Sequence, residues 1–92
     1  MKAIHPGRIL KRELKARELS ANKLALSLSV PSGRIVQILN GQRGVSAETA
    51  LRLAQFFGNS AQFWMNLQTR YELAVTEQKL GDKIRSEVGH AA

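Results

Sequence analysis

Residues 19–43 read LSANKLALSLSVPSGRIVQILNGQR, and this stretch decides the fold. Its apolar residues recur at spacings of three and four, which is the period of an amphipathic helix. Ser20 is a good N-cap for a first helix, and Pro31 interrupts that helix because the residue before a proline is pushed out of helical geometry. The Asn-Gly pair at 40–41 then closes a second helix, since both residues tolerate the left-handed conformation. The stretch therefore predicts two short helices joined by a tight turn.

The same period predicts three further helices on either side of this stretch. They cover residues 6–18, 46–58 and 60–81, with a proline or a serine at each start and a glycine at the end of the last two. No segment alternates as a strand does. The predicted fold class is therefore all-α, a compact five-helix domain at residues 1–80, followed by a polar and frayed tail at 81–92.

Charge is divided unevenly along the chain. The 92 residues contain 14 Lys and Arg against 7 Asp and Glu, which is a formal charge of +7. Residues 1–43 carry 9 basic and 2 acidic side chains, whereas residues 44–92 carry 5 of each. A charge excess confined to one segment produces a local positive field that attracts a polyanion. This division favours a nucleic-acid partner over a merely solvated, lysine-rich surface.

Composition excludes several other classes of protein. A chain of this length holds one small core, and its lack of cysteine excludes disulfides and thiol chemistry. Neither histidine lies beside a candidate nucleophile in the sequence, and no cluster of metal ligands or phosphate-binding glycine loop is present, so we expect no enzyme, metal or cofactor. The short apolar runs and the polar N-terminus indicate a cytoplasmic protein with no membrane span.

Two short helices in the basic half match a helix-turn-helix, in which the second helix enters the major groove of DNA. Ile35 and Ile38 would anchor that helix on the core. The opposite face then carries the side chains that could read bases, namely Ser32, Gly33, Arg34 and Gln37. Arginine pairs bidentately with guanine and glutamine with adenine. For Arg34 and Gln37 the alternative is a phosphate contact or a solvated role. Gly33 is either a point of close approach to DNA or simply a tolerated small residue.

The stretch at residues 19–43 resembles the helix-turn-helix of the phage-repressor, or XRE, family. Three segments narrow the resemblance: IHPGRIL at 4–10, NGQRGVSAETALRLA at 40–54 and FGNSAQFWMNLQTRY at 57–71 are similar to the HigA antitoxins, the VapI-type branch of that family. The resemblance implies a homodimeric repressor that binds a palindromic operator in its own promoter and neutralises an mRNA-cleaving, HigB-like toxin. One departure is Ser29, which stands where the family usually has a glycine at the turn, so we expect a left-handed or altered turn there.

Carried over to this chain, the resemblance assigns base reading to the same four residues of the second short helix. Phosphate contacts would come from the start of the first short helix and from the loop after the second, at Ser20, Asn22, Lys23, Asn40, Gln42 and Arg43. A stand-alone regulator without a toxin is the alternative function, and an adaptor with a vestigial DNA-binding motif is a third.

One domain of this size reads too few base pairs to be selective, so we expect a dimer. The last predicted helix is the expected dimer surface, because it carries more apolar side-chain area than one small core can absorb. Phe63 and Leu67 are expected in the core of the protomer. The face of the helix from Trp64 to Val75 is expected to form part of the dimer interface. The predicted interface residues are Trp64, Tyr71, Ala74 and Val75. The alternative is that all of these side chains pack within one protomer.

Overall fold

The computed structural model describes residues 2–91, which form five α-helices and contain no strand. The helices are α1 (Pro6–Ala16), α2 (Ala21–Leu28), α3 (Ser32–Leu39), α4 (Ala47–Phe57) and α5 (Ala61–Glu87). Met1 and Ala92, the outer ends of the two predicted segments, lie outside the described residues. The predicted all-α, five-helix fold is confirmed.

Four of the five helices are preceded by an N-cap residue whose side chain accepts a hydrogen bond from a backbone N–H group of the helix. Ser20, Ser46 and Ser60 cap α2, α4 and α5, accepting hydrogen bonds of 3.1, 3.3 and 3.0 Å from the N–H groups of the third helical residue. His5 caps α1, its Nδ1 accepting from the Gly7 N–H at 2.9 Å. Each cap satisfies a donor that has no partner within its helix. The N-terminal boundaries of α2, α4 and α5 therefore follow from local sequence.

The core lies between α1–α4 and the first turns of α5. Leu10, Leu24, Ile35, Ile38 and Leu53 are fully buried there, as predicted for the two isoleucines. Burial of a leucine or isoleucine side chain contributes roughly 1.5–3 kcal/mol to stability. The core therefore holds every helix of the domain against at least one other.

Trp64 is also part of this core, which contradicts its predicted place in a dimer interface. Its side chain is 0% exposed, and its Nε1 donates a 3.0 Å hydrogen bond to the Asn59 side chain. Phe63, predicted to be core, is instead 40% exposed. The two predictions failed together because adjacent residues lie about 100° apart on a helix, and the phase of α5 is set by which stripe packs on α4.

Helix α5 is longer than its predicted end near Gly81. It continues to Glu87, so the predicted start of the tail at residue 81 is wrong, and residues 88–91 follow the helix without regular secondary structure. Arg85 pairs with Glu77 across Gly81 and with Asp82 just after it, and these ion pairs accompany the continuation of the helix past the glycine. The outer half of α5 extends beyond the other helices, and the molecule measures 52 × 23 × 22 Å.

Helix α1 approaches α3 so closely that only a glycine fits at the contact. A Cβ atom added to Gly7 would lie 1.9 Å from the carbonyl oxygen of Ile38, which is a backbone atom and cannot move aside as a side chain would. Gly33, within α3, has no atom within 4 Å of such a Cβ. The two glycines therefore differ in what they contribute to the fold.

We expect Gly7→Ala to destabilise the protein by about 1–3 kcal/mol or more, because the added methyl group overlaps the α3 backbone. Gly33→Ala should stabilise the protein by about 0.5–1 kcal/mol, because alanine is the better helix former and the space is open. Urea unfolding followed by circular dichroism measures both changes. Equal stability of the Gly7→Ala variant and the wild type would contradict the close approach of α1 to α3.

Candidate nucleic-acid interface

The turn between α2 and α3 is built on Ser29 and Val30. Ser29 adopts the left-handed conformation, with φ 58° and ψ 45°, as one of the predicted outcomes at this position. The Val30 N–H donates to the Ala25 carbonyl at 3.0 Å, which closes the end of α2. Ala25 is 2% exposed, and its small side chain is buried in the core that α2 and α3 share. The turn therefore orients α3 relative to α2 despite having serine in place of glycine.

Helix α3 turns a polar face outward. Ser32, Gly33 and Gln37 are exposed, while Ile35 and Ile38 on the other side are 0% exposed. Arg34 is half-buried and thus less exposed than the other three polar-face residues, because its side chain leans toward α4. The structure thus brings all four residues predicted to read bases onto one small helix, with two buried anchors behind them.

The residues predicted to contact phosphates lie at two places, the first turn of α2 and the loop that follows α3. All of them are exposed: Ser20, Asn22, Lys23, Asn40, Gln42 and Arg43. The loop is tied to α3 by two hydrogen bonds, since the N–H groups of Gln42 and Arg43 donate to the Gln37 carbonyl at 2.8 and 3.2 Å. The loop therefore starts from a defined position relative to the outer face of α3.

The far side of this loop is held by Gln68, a residue that no sequence pattern indicates. Gln68 is 7% exposed, and its Oε1 accepts a 2.7 Å hydrogen bond from the Val45 N–H. A Cβ on Gly44 would lie 2.7 Å from the Gln68 amide nitrogen, so the loop and α5 are in close contact. No sequence signal marks a buried glutamine 23 residues away from its partner.

His5 occupies the junction of α1, α5 and the same loop. Its ring packs edge-on against Tyr71, with ring centroids 4.8 Å apart, and lies near Gly41. Desolvation by burial lowers the pKa of His5, and a hydrogen bond with the backbone of Arg43 opposes this effect. The histidine is therefore both the cap of α1 and a packing residue.

The predicted dimer residues on α5 have little free surface. Ala74, like Trp64, is buried within the protomer, at 1% exposure, so this prediction is wrong for both. Tyr71 and Val75 are half-buried. The solvated apolar side chains of α5 lie farther along the helix or on another face: Phe63, Leu73, Leu80 and Ile84.

Glu48 is a second residue that the sequence analysis did not single out. Its Oε1 lies 3.4 Å from Nη1 of Arg34, and its Oε2 accepts from Arg52 at 3.1 Å. Arg52 also donates to the carbonyl of Leu28 at 2.9 Å. A carboxylate therefore lies beside the arginine that is predicted to read a base.

Within residues 2–91 no group of three or more potential ligand side chains could hold a metal ion. Over the same range no helix is long and apolar enough to cross a membrane.

These features define the class of DNA-binding helix-turn-helix proteins, and comparison with known proteins specifies the family. Residues 10–64 match the helix-turn-helix family model, so the chain belongs to the XRE-type helix-turn-helix family. The antitoxins and regulators of this family are DNA-binding proteins and not enzymes.

The relatives point to one branch of the family. The chain is 53% identical to virulence-associated protein I of Dichelobacter nodosus over 79 residues, which cover 85% of this chain and 73% of that one. An addiction module antidote protein of the HigA family from Coxiella burnetii superposes with a TM-score of 0.96 at 48% identity, covering 99% of this chain and 100% of the other. The Pseudomonas aeruginosa antitoxin HigA with the higBA promoter gives a TM-score of 0.96 at 41% identity, with the same coverage.

Proposed function

We propose that this protein is an autorepressing antitoxin, which binds a palindromic operator in its own promoter and neutralises an mRNA-cleaving, HigB-like toxin. The observation that carries the DNA-binding part is the exposed polar face of α3, backed by Ile35 and Ile38. The similarity to an antitoxin bound to promoter DNA supports it. Because its target is the promoter DNA of its own gene, the protein acts in the cytoplasm.

In this proposal the two groups of exposed residues have different tasks. Arg34 and Gln37, with Ser32 and Gly33, face the base edges in the major groove and select the sequence. The first turn of α2 and the loop after α3 contact phosphates and set the position of the domain. The first group therefore determines specificity, whereas the second contributes affinity for any duplex.

We expect Arg34→Ala to cost about 1–3 kcal/mol of binding on the operator and to relax the preference at one base pair. Arg43→Ala should weaken binding to the operator and to random duplex alike and reduce the salt slope by about one, because one phosphate contact is lost. Fluorescence anisotropy over a series of salt concentrations measures both effects. Lys79→Ala, which removes a positive charge from α5, is the matched control. If Arg34→Ala and Arg43→Ala each weakened both DNAs equally, the division of tasks would be wrong.

We propose that the exposed apolar stripe of α5 forms the dimer interface, in place of the buried Trp64 and Ala74. Leu73, Leu80 and Ile84 are 62%, 44% and 44% exposed and follow one another at spacings of seven and four, so they form one stripe. Leu80 and Ile84 lie on the part of α5 beyond the buried Ala74, and Leu73 lies next to Ala74. A second copy packed there would bury this stripe and place two α3 helices on one duplex, in major grooves about 34 Å apart.

Ile84→Glu should convert the dimer to a monomer, because it places a charge within the proposed apolar interface. Operator affinity should fall about a hundredfold or more, since the two α3 helices no longer bind as one unit. Ser86→Glu introduces the same charge on the opposite side of α5 and should leave both properties unchanged. Sedimentation equilibrium and anisotropy make the comparison. A dimer that survives Ile84→Glu would place the interface elsewhere.

The toxin-binding part of the proposal is supported by the similarity to antitoxins, and a stand-alone regulator is the alternative. The test is to express the small open reading frame adjacent to this gene, with and without this protein. We expect growth inhibition that this protein relieves, and the Arg43→Ala variant should relieve it equally, because neutralisation does not require DNA. An adjacent product that is harmless, or that still inhibits growth in the presence of this protein, would favour the stand-alone regulator.

A further inference from the structure

The Arg34 side chain is held against the protein rather than extended into solvent. Its exposed fraction is 23%, against 60% for its partner Glu48, and Nη1 lies 3.4 Å from Glu48 Oε1. The pair joins the outer face of α3 to the first turn of α4. An arginine in a base-reading position is thus oriented by a carboxylate before any DNA arrives.

Glu48 is itself fixed from the other side. Ser46 caps α4 and thereby places Glu48 in the first turn, where the partial positive charge of the helix end favours a carboxylate. Arg52 donates to Glu48 Oε2 through Nε at 3.3 Å and through Nη2 at 3.1 Å. Because the remaining Nη1 of Arg52 donates to the Leu28 carbonyl, the carboxylate is anchored to the end of α2.

The pairing leaves donors on Arg34 available for DNA. Its contact with Glu48 uses Nη1, so the edge formed by Nε and Nη2 can still pair with O6 and N7 of a guanine. An arginine that is already oriented loses less side-chain freedom when it binds a base. The carboxylate also offsets part of the attraction between Arg34 and any nearby phosphate, which lowers affinity for DNA of every sequence.

We propose that Glu48 is a specificity-determining positioning residue, which orients Arg34 toward a base and reduces binding to non-operator DNA. This inference rests on the proposed base-reading role of Arg34. If Glu48 were purely structural, removing its charge would weaken binding to all DNA. A positioning role instead predicts stronger binding to random DNA together with a lower preference for the operator.

The test compares Glu48→Gln with wild type on the promoter fragment and on a random duplex of equal length. We expect affinity for the random duplex to rise about two- to fivefold, because a negative charge beside the DNA is lost. The ratio of operator to random affinity should fall by at least the same factor. Glu72→Gln makes the same charge change on α5 and should leave the ratio unaltered. Thermal unfolding of each variant monitors the fold.

A double-mutant cycle tests whether Glu48 acts through Arg34. In an Arg34→Ala background, Glu48→Gln should no longer change the selectivity ratio. An unchanged ratio for Glu48→Gln alone, or a fall of the same size in both backgrounds, would overturn the inference. Wild-type protein that does not prefer its promoter over random duplex would instead refute the proposed function.

Discussion

Two buried side chains, Ile35 and Ile38, hold α3 against the core and set the orientation of its outward-facing residues. Helix α3 has only eight residues, and an isolated helix of that length is not stable in water. Its position is therefore set by these two side chains, by the turn at Ser29 and by the close approach of α1 at Gly7. Every outward-facing residue of α3 takes its direction from the two buried anchors behind it.

The charge distribution follows the same division of the molecule. The basic excess lies in residues 1–43, which form α1, α2, α3 and the loop after α3, and the remaining chain is neutral overall. A long-range field from the first part attracts DNA, while the neutral α5 can extend away from the duplex. Glu48, on the neighbouring helix α4, pairs with Arg34 of this basic part. The local ion pair therefore offsets some of the attraction to DNA that net charge alone would provide.

Much of the fold could be predicted from local sequence, and the exceptions share a cause. The serine caps and the Pro31 break define helix starts through hydrogen bonds and steric contacts within a few residues. These helix starts can therefore be predicted from the local sequence. The phase of α5 is different, because stripes through Phe63 and through Trp64 both have helical spacing. Only packing against α4 decided that Trp64 is core and Phe63 is exposed. The extent of α5 was also missed, because an internal glycine weakens a helix without necessarily ending it.

Periodicity and capping act over short distances, so they are enough to predict the helix-turn-helix and the residues that face outward on α3, and composition is enough to locate the basic half. The tertiary structure alone decided what these residues touch. Gln68 reaches the loop after α3 from 23 residues away, and Glu48 reaches Arg34 from 14 residues away. No spacing rule connects positions on different helices, since their contact depends on how the whole core packs. Local sequence therefore indicates which residues form the site, whereas the packing of the whole core sets the contacts between them.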